Sequence, residues 1–363
     1  MSSFPERRSA VGAARSAAGR LGATLGRRSR VTLRPIDQQV VVIIGASSGI
    51  GRETARSFAE RRARLILGAR EVDGLRPVVD ECRALGAQVE AIAVDVVRPA
   101  DVEAVADLAV GRFGRIDTWV QLAAVSIWSR FVDMTAEEFR QVVEVNLIGQ
   151  ANGAKAALPR LLAAGGGALI EVSSVEAEVP LPDQTAYAAS KHGMAGFLRA
   201  LRMEMEADGL PVAITQILPS SVDTPLFRNA RTRLGVQPRP AGPVYDPSVV
   251  AAAIVDAAEH PRGDLRIGGP AVLLTAVYKL APRLSGAILG RVATAQQRSD
   301  IPKSAAEPDN LMHPLDRPGA VRVSGTGRRF SIATWAQLHP RALWLAVAGG
   351  ASLAAAARRL GRG

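Results

Sequence analysis

The sequence predicts a doubly wound α/β fold, and three features carry that expectation. Residues 40–44, Val-Val-Val-Ile-Ile, form an apolar, mostly β-branched run suited to a fully buried strand. A glycine turn, Gly45-Ala46-Ser47-Ser48-Gly49-Ile50-Gly51, follows at once, and residues 52–61 then carry apolar positions at helical spacing. The same alternation of short strand and helix recurs to about residue 270. Such alternation is the pattern of a parallel sheet covered on both faces.

The elements follow in order. The spacing predicts a second strand over 64–68, a helix over 75–85 and a third strand over 89–94 that ends at Asp95. A helix over 102–113 and a fourth strand over 118–124 come next, then a long helical region over 136–162 with Pro159 near its end. Gly165-Gly166-Gly167 leads into a strand over 168–172, followed by a helix over 186–207 and a sixth strand over 212–218. A polar stretch rich in Pro and Arg over 219–247 precedes a helix over 248–259 and a short last strand over 265–267. Residues 271–300 are apolar with widely spaced cations, and 301–330 are Pro/Gly-rich and irregular.

The formal net charge of +11 belongs to the ends of the chain. Residues 1–36 carry +7 and residues 271–363 carry +9, which leaves −5 on residues 37–270. The folded body is therefore not a nucleic-acid-binding surface, whereas basic tails can touch anionic lipid or remain solvated. The expected organisation is a disordered basic tail over 1–36, one α/β domain over 37–270 and a partly helical extension over 271–363. Within that extension 342–357 is a sixteen-residue run without charge between Arg341 and Arg358. It is shorter than the about 20 residues of a bilayer-spanning helix, so a packed or membrane-surface helix is expected there. Cys82 is the single cysteine and suits a reducing, cytoplasmic compartment. The four scattered histidines suggest no metal site.

Two groups carry chemistry. The first is the glycine turn. Its Gly45, Gly49 and Gly51 remove side chains where the chain turns and where an anion would approach free N–H groups at a helix N-terminus. The second is Tyr187-Ala188-Ala189-Ser190-Lys191, which puts a phenol and an ammonium on one helix face. An ammonium beside a phenol is expected to lower its pKa, so that it can exchange a proton with a carbonyl or alcohol oxygen. Alone, such a pair also occurs on ordinary surface helices. Ser173-Ser174, just upstream, could hydrogen-bond the same oxygen.

With these residues in place, the chain from about 37 to 270 resembles a short-chain dehydrogenase/reductase of the main, roughly 250-residue type, a Rossmann-like fold. Gly45, Gly49 and Gly51 match its cofactor glycines and Asp95 its adenine-contacting acid. Asn146 matches its active-site asparagine, and Ser174 precedes Tyr187 by the family's usual interval. The segment from Pro219 to Thr224 is similar to the one that closes on the nicotinamide. The resemblance implies that Tyr187 is the general acid/base, that Ser174 orients the substrate oxygen, and that Lys191 binds the nicotinamide ribose. Lys191 would also pass protons to a water held at Asn146. It implies a cofactor site of Gly45, Ser47, Ser48, Gly49, Ile50, Gly51, Arg70, Asp95, Val96, Ala123, Tyr187, Lys191, Pro219, Val222 and Thr224. A homodimer or homotetramer is also implied. His192 is expected to be a structural neighbour.

The second strand ends Gly68-Ala69-Arg70 with no acid, and Arg70 suits a 2′-phosphate, so NADP(H) is expected over NAD(H). The implied activity is interconversion of a carbonyl and an alcohol on a hydrophobic small molecule. Leu226, Phe227, Leu234, Val236 and Val244 would line a substrate lid. Three positions depart from the family pattern. Ile44 stands where it has Thr, Gln121-Leu122 where it has Asn-Asn, and Ser220 where it has Gly. They leave room for two other readings, a non-catalytic dinucleotide sensor or scaffold on the same fold and a membrane-associated interaction protein.

Overall fold

The computed structural model describes residues 31–315 and 319–340. A seven-stranded sheet contains β1 (Val40–Ile44), β2 (Arg64–Ala69), β3 (Gln88–Ala93), β4 (Thr118–Gln121), β5 (Gly167–Val172), β6 (Val212–Pro219) and β7 (Asp264–Ile267). Their order is β3-β2-β1-β4-β5-β6-β7, and every neighbouring pair is parallel. Helices α1 (Gly49–Ala59), α2 (Arg76–Ala84), α3 (Pro99–Phe113), α4 (Ala136–Val143), α5 (Gly149–Ala163), α6 (Thr185–Ala207) and α7 (Pro247–Ala257) cover its two faces.

β1 has no polar residue because both of its faces are buried. Val41 and Ile43 join one core with Phe58, Val78, Cys82 and Ile254, while Val40, Val42 and Ile44 join the other with Val105, Ala157, Met194 and Leu198. Alternation of side chains along a strand makes one apolar run serve two cores. Strand order reverses direction at β1, and a ligand crevice opens beyond the carboxyl ends of strands at such a point.

Several elements differ from the sequence reading. The fourth strand stops at Gln121 rather than 124, because its neighbour β1 ends at Ile44 and gives way to the glycine turn. The helical region 136–162 is interrupted by a π turn at Glu144–Ile148, between α4 and α5. The stretch 219–247 holds one helical turn, Leu226–Asn229, and two short ladders: Arg231–Thr232 on Ile127–Trp128, and Val236–Pro238 on Arg298–Pro302. Residues 271–300 fold into a helical hairpin, α8 (Gly269–Leu280) and α9 (Pro282–Gln296).

The irregular chain beyond it returns across the sheet and forms a strap. Its anchors are Arg231–Asp309 at 2.7 Å, Arg322–Asp246 at 2.5 Å, and Asp223, which accepts from the N–H groups of Val323, Ser324 and Gly325. Helix α10 (Ile332–Leu338) then docks on β7 through Gln337, which pairs with both the N–H and the carbonyl of Arg266. The expected tail 1–36, apart from 31–36, and the run 342–357 lie outside the described residues. No described helix is long and apolar enough to cross a membrane.

Candidate active site

The glycine turn sits at the strand-order reversal. Gly45 and Gly49 have φ of +89° and +53°, a region that favours residues without Cβ. At Gly51 an added Cβ would fall 2.0 Å from the Gly45 carbonyl, so this glycine lets α1 pack onto the turn. Ser48 caps α1 without a side-chain bond, and by helix geometry the first-turn N–H groups of Ile50 and Gly51 have no intrahelical acceptor.

A cavity opens from this turn across the ends of β1, β2 and β4. It is lined by Gly45, Ser47, Ser48, Gly49, Ile50, Gly51, Arg70, Asp95, Val96, Ala123, Tyr187, Lys191 and Thr224. Pro219 and Val222, expected in the same set, line an adjoining cavity instead, with Ser174, Trp128, Leu181 and Phe227. Tyr187 is a wall of both cavities. Of the lid residues, Leu226 and Phe227 face the second cavity, and Phe227 packs on Trp128 at 5.3 Å between ring centroids. Leu234, Val236 and Val244 are not among its lining residues.

Two of the three departures from the family pattern, at Ile44 and at Gln121, are absorbed locally, whereas the buried Ser220 hydroxyl has no hydrogen-bond partner among the described residues. At Ile44 the neighbouring chains are tied by backbone bonds, Leu122 N–H to the Ile44 carbonyl at 2.9 Å and Gly45 N–H to the Gly68 carbonyl at 2.8 Å. The buried Gln121 accepts from Trp119 Nε1 at 2.9 Å and donates to the Gly149 carbonyl at 3.3 Å. It fits because Gly153 lies against it; a Cβ there would stand 2.7 Å from Gln121 Oε1.

The four candidate reactive groups come from three elements. Asn146 lies inside the π turn, and π turns recur at functional positions because one extra residue re-aims a side chain. Its Oδ1 accepts from Val125 N–H and its Nδ2 donates to the Val125 carbonyl, both at 2.9 Å. Nδ2 also reaches Ser190 Oγ at 3.2 Å, and Ser190 Oγ donates to the Tyr187 carbonyl at 2.7 Å. The Asn146 carboxamide thus ties the loop after β4 to α6. Ser174, just beyond β5, accepts from Glu176 N–H at 3.1 Å and stands close enough to the Tyr187 phenol to favour its ionised form. Lys191 is buried, with Nζ 5.5 Å from the centre of the Tyr187 ring and donating to the Val172 carbonyl at 3.2 Å. His192 keeps the structural role expected of it, with Nδ1 against the Ala188 carbonyl at 2.9 Å.

The expected lowering of the tyrosine pKa is reversed. Burial, reinforced by Glu176, raises the Tyr187 phenol above its usual value, against the Ser174 hydroxyl beside it. Burial also brings Lys191 down to about 8, partly opposed by Glu171 and Glu176. Glu176 is pushed up to about 8 by burial, and Glu171, fully buried in β5, is pushed well above the carboxylate range. Two carboxyls beside Lys191 went unnoticed in the sequence, although an acid inside the apolar run of β5 was a visible signal.

The strap was unreadable. Its Ala320 carbonyl accepts the Gly49 N–H at 2.9 Å, and its Asn310 carbonyl accepts from Arg70 Nη2 at 2.9 Å. The glycine cradle, the first-turn N–H groups and Arg70 fit a nicotinamide dinucleotide. Arg52, on α1, is occupied by Glu81 and by the Gly319 carbonyl.

The short chain dehydrogenase family model matches residues 39–235. The chain is 35% identical over 286 residues to an uncharacterized oxidoreductase, YxnA, of Bacillus subtilis, covering 78% of this chain and 80% of that one. It is 33% identical over 280 residues to dehydrogenase/reductase SDR family member 7B of Danio rerio, covering 73% and 89%. Among solved structures, an alcohol dehydrogenase from Thermococcus sibiricus complexed with 5-hydroxy-NADP has a TM-score of 0.56 at 27% identity, covering 63% of this chain and 95% of its own. A metagenomic short-chain oxidoreductase in complex with NADP has a TM-score of 0.54 at 26% identity, covering 64% and 98%. With the glycine turn, the seven-stranded order and the Ser174–Tyr187–Lys191 cluster, the match identifies this chain as a member of the short-chain dehydrogenase family of oxidoreductases.

Proposed function

We propose that the protein interconverts a carbonyl and an alcohol with NADP(H), using residues 37–270 as the catalytic unit and 271–363 as an extension, in a homodimer or homotetramer. The observation that carries this reading is the position of Tyr187, beside Ser174 and shared by the glycine-turn cavity and the adjoining one. NADP(H), when bound, supplies or accepts hydride at its nicotinamide. In the reducing direction the Tyr187 O–H gives its proton to the carbonyl oxygen, while Ser174 Oγ orients that oxygen by a second hydrogen bond. Lys191, with a pKa near the working range, replaces the tyrosine proton and favours the phenolate electrostatically. Asn146 fixes the backbone on which α6 presents both groups. Trp128, Leu181, Leu226 and Phe227 make the substrate cavity apolar, which suits a hydrophobic carbonyl.

The preference for NADP(H) rests on Arg70 at the end of β2, and the likeness to two NADP-complexed enzymes supports it. The test is a screen of hydrophobic ketones and aldehydes with NADPH, alongside Tyr187→Phe. The variant is expected to lose at least about 100-fold in kcat with its dinucleotide Kd unchanged. Activity at the parent rate would remove the mechanism.

A second reading, a dinucleotide-responsive scaffold without turnover, is favoured by one observation. The strap carbonyls of Ala320 and Asn310 engage Gly49 N–H and Arg70, two donors an anionic ligand would use. Titration with NADPH and NADH, followed by tryptophan fluorescence, separates the two. Binding without turnover across the screen supports the scaffold.

A further inference from the structure

Helices α8 and α9 present an apolar surface to the outside. Leu273, Val277 and Leu280 follow one another along α8 at spacings of four and three residues, and Leu284, Ile288 and Val292 continue along α9 at spacings of four. Leu280 is 86% exposed and Leu284 64%. The inward face is distinct, with Ala271, Thr275, Ser285 and Ala293 buried. Six large aliphatic side chains on one side of a hairpin exceed the scattered apolar exposure of an ordinary surface.

The hairpin's own charge is of one sign. Between Asp264 and Asp300 the chain has no Asp or Glu and five Lys or Arg. Arg266 and Lys279 are paired with Glu178, at 2.6 and 2.9 Å, and Arg298 with Asp183 at 3.4 Å, which leaves Arg283 and Arg291 without an acidic partner among the described residues. On the helical wheel of α9, Arg291 falls within the outward face among Leu284, Ile288 and Ala295. In a two-fold contact between copies, such cations would approach their own mates with no acid on the hairpin to compensate. Against an anionic lipid surface, the same cations meet opposite charge while their stems lie along the apolar stripe. Position adds a second argument. Helix α10 packs against α8 and exposes Ile332 and Trp335, and the described chain ends at Pro340 two residues beyond it. The sequence then continues with the uncharged, apolar run 342–357 between arginines.

We propose that the α8–α9 hairpin is a docking surface for an anionic lipid bilayer, entered by the outward leucines to the depth of an interfacial helix. The hairpin also meets the substrate cavity. Gln297, immediately after α9, accepts from Trp128 Nε1 at 2.9 Å and from Gln184 Nε2 at 2.6 Å, and is a wall of the cavity over Ser174 and Tyr187. If the oxidoreductase reading holds, a lipid-soluble carbonyl would reach that cavity from the bilayer. The docking itself does not depend on that reading.

The test uses the full chain and flotation with vesicles of phosphatidylcholine alone or mixed with phosphatidylglycerol. The protein is expected to float with the mixed vesicles, less at raised salt, and not with phosphatidylcholine alone. The double variant Leu280→Asp/Leu284→Asp alters two exposed side chains, so it should keep its thermal unfolding midpoint and dinucleotide Kd. Its partition coefficient should fall at least about tenfold. Unchanged partition in this variant, or equal binding to both vesicles, would overturn the proposal. So would a dimer that the variant dissociates while the parent protein ignores vesicles. Hydrogen exchange of the unsubstituted protein is a second measurement that needs no variant. Slower exchange over 269–296 with mixed vesicles supports the proposal, and no change there refutes it.

Discussion

The Ala320 carbonyl accepts the N–H of Gly49, the second glycine of the turn, at 2.9 Å. A segment beyond the matched family region is thereby bonded to the residue that opens α1. Gly319, next to it, has no room for a side chain, since a Cβ there would lie 2.1 Å from the Ser47 carbonyl. Gly319→Ala should therefore push the strap off the turn and cost about 1–3 kcal/mol in thermal or denaturant unfolding. Gly111→Ala is the control. That glycine lies in α3 with nothing within 4 Å, so the change should be neutral or stabilise by up to about 1 kcal/mol.

Glu176 predicts a pH dependence of stability. Its carboxyl is raised from 4.5 to about 8 by burial, so the folded protein holds this proton over a range in which the unfolded chain has lost it. Stability contributed by the protonated form is fully present below about 4.5 and declines as pH rises towards about 8. Glu176→Gln keeps a neutral side chain at every pH. Its unfolding midpoint should exceed that of the parent at pH 8 by more than at pH 5, and an equal offset at both would contradict the assignment.

Asn146 should behave as a positioning residue. Asn146→Ala would leave the buried Val125 N–H and carbonyl without their side-chain partners, at about 1–3 kcal/mol for such an unpaired group. Because the same amide reaches Ser190 and, through it, the Tyr187 backbone, kcat should fall more than dinucleotide affinity. A Kd loss with unchanged kcat would place Asn146 at the cofactor instead.

The proposed cofactor preference is tested at Arg70. Burial lowers its pKa, opposed by Asp95 and Glu71, and its Nη2 donates to the Asn310 carbonyl. Arg70→Ala should raise the NADPH Kd at least about tenfold by loss of a charge-assisted phosphate contact, with a far smaller effect on NADH. Equal losses for both would mean that Arg70 serves only to hold the strap.

The parts legible in the sequence share a physical cause, which is that local chemistry dictated them. Val40–Ile44 reads as a buried strand because both of its faces are covered. Gly45, Gly49 and Gly51 read as a turn because backbone geometry demands them. Tyr187 and Lys191 read as a pair because helical spacing places them together. The π turn escaped because one extra residue barely disturbs apolar periodicity across 136–162, although it aims Asn146 at Val125. The partly helical character of the extension was legible, but not the bounds of the α8–α9 hairpin, because an apolar stretch whose outward face is not polar gives no amphipathic signal.

The sequence by itself determined the parallel sheet, the glycine turn and which side chains are candidates for the chemistry, since burial, φ and i,i+4 spacing are local properties. Tertiary structure alone decided which way the pKa values of Tyr187 and Lys191 move, because burial sets both directions, reinforced at Tyr187 by Glu176 and only partly opposed at Lys191 by Glu171 and Glu176. It also decided that a strap closes on Gly49 and Arg70. The strap meets those two residues through main-chain carbonyls, which every residue possesses, so no residue type in 301–330 announces these contacts.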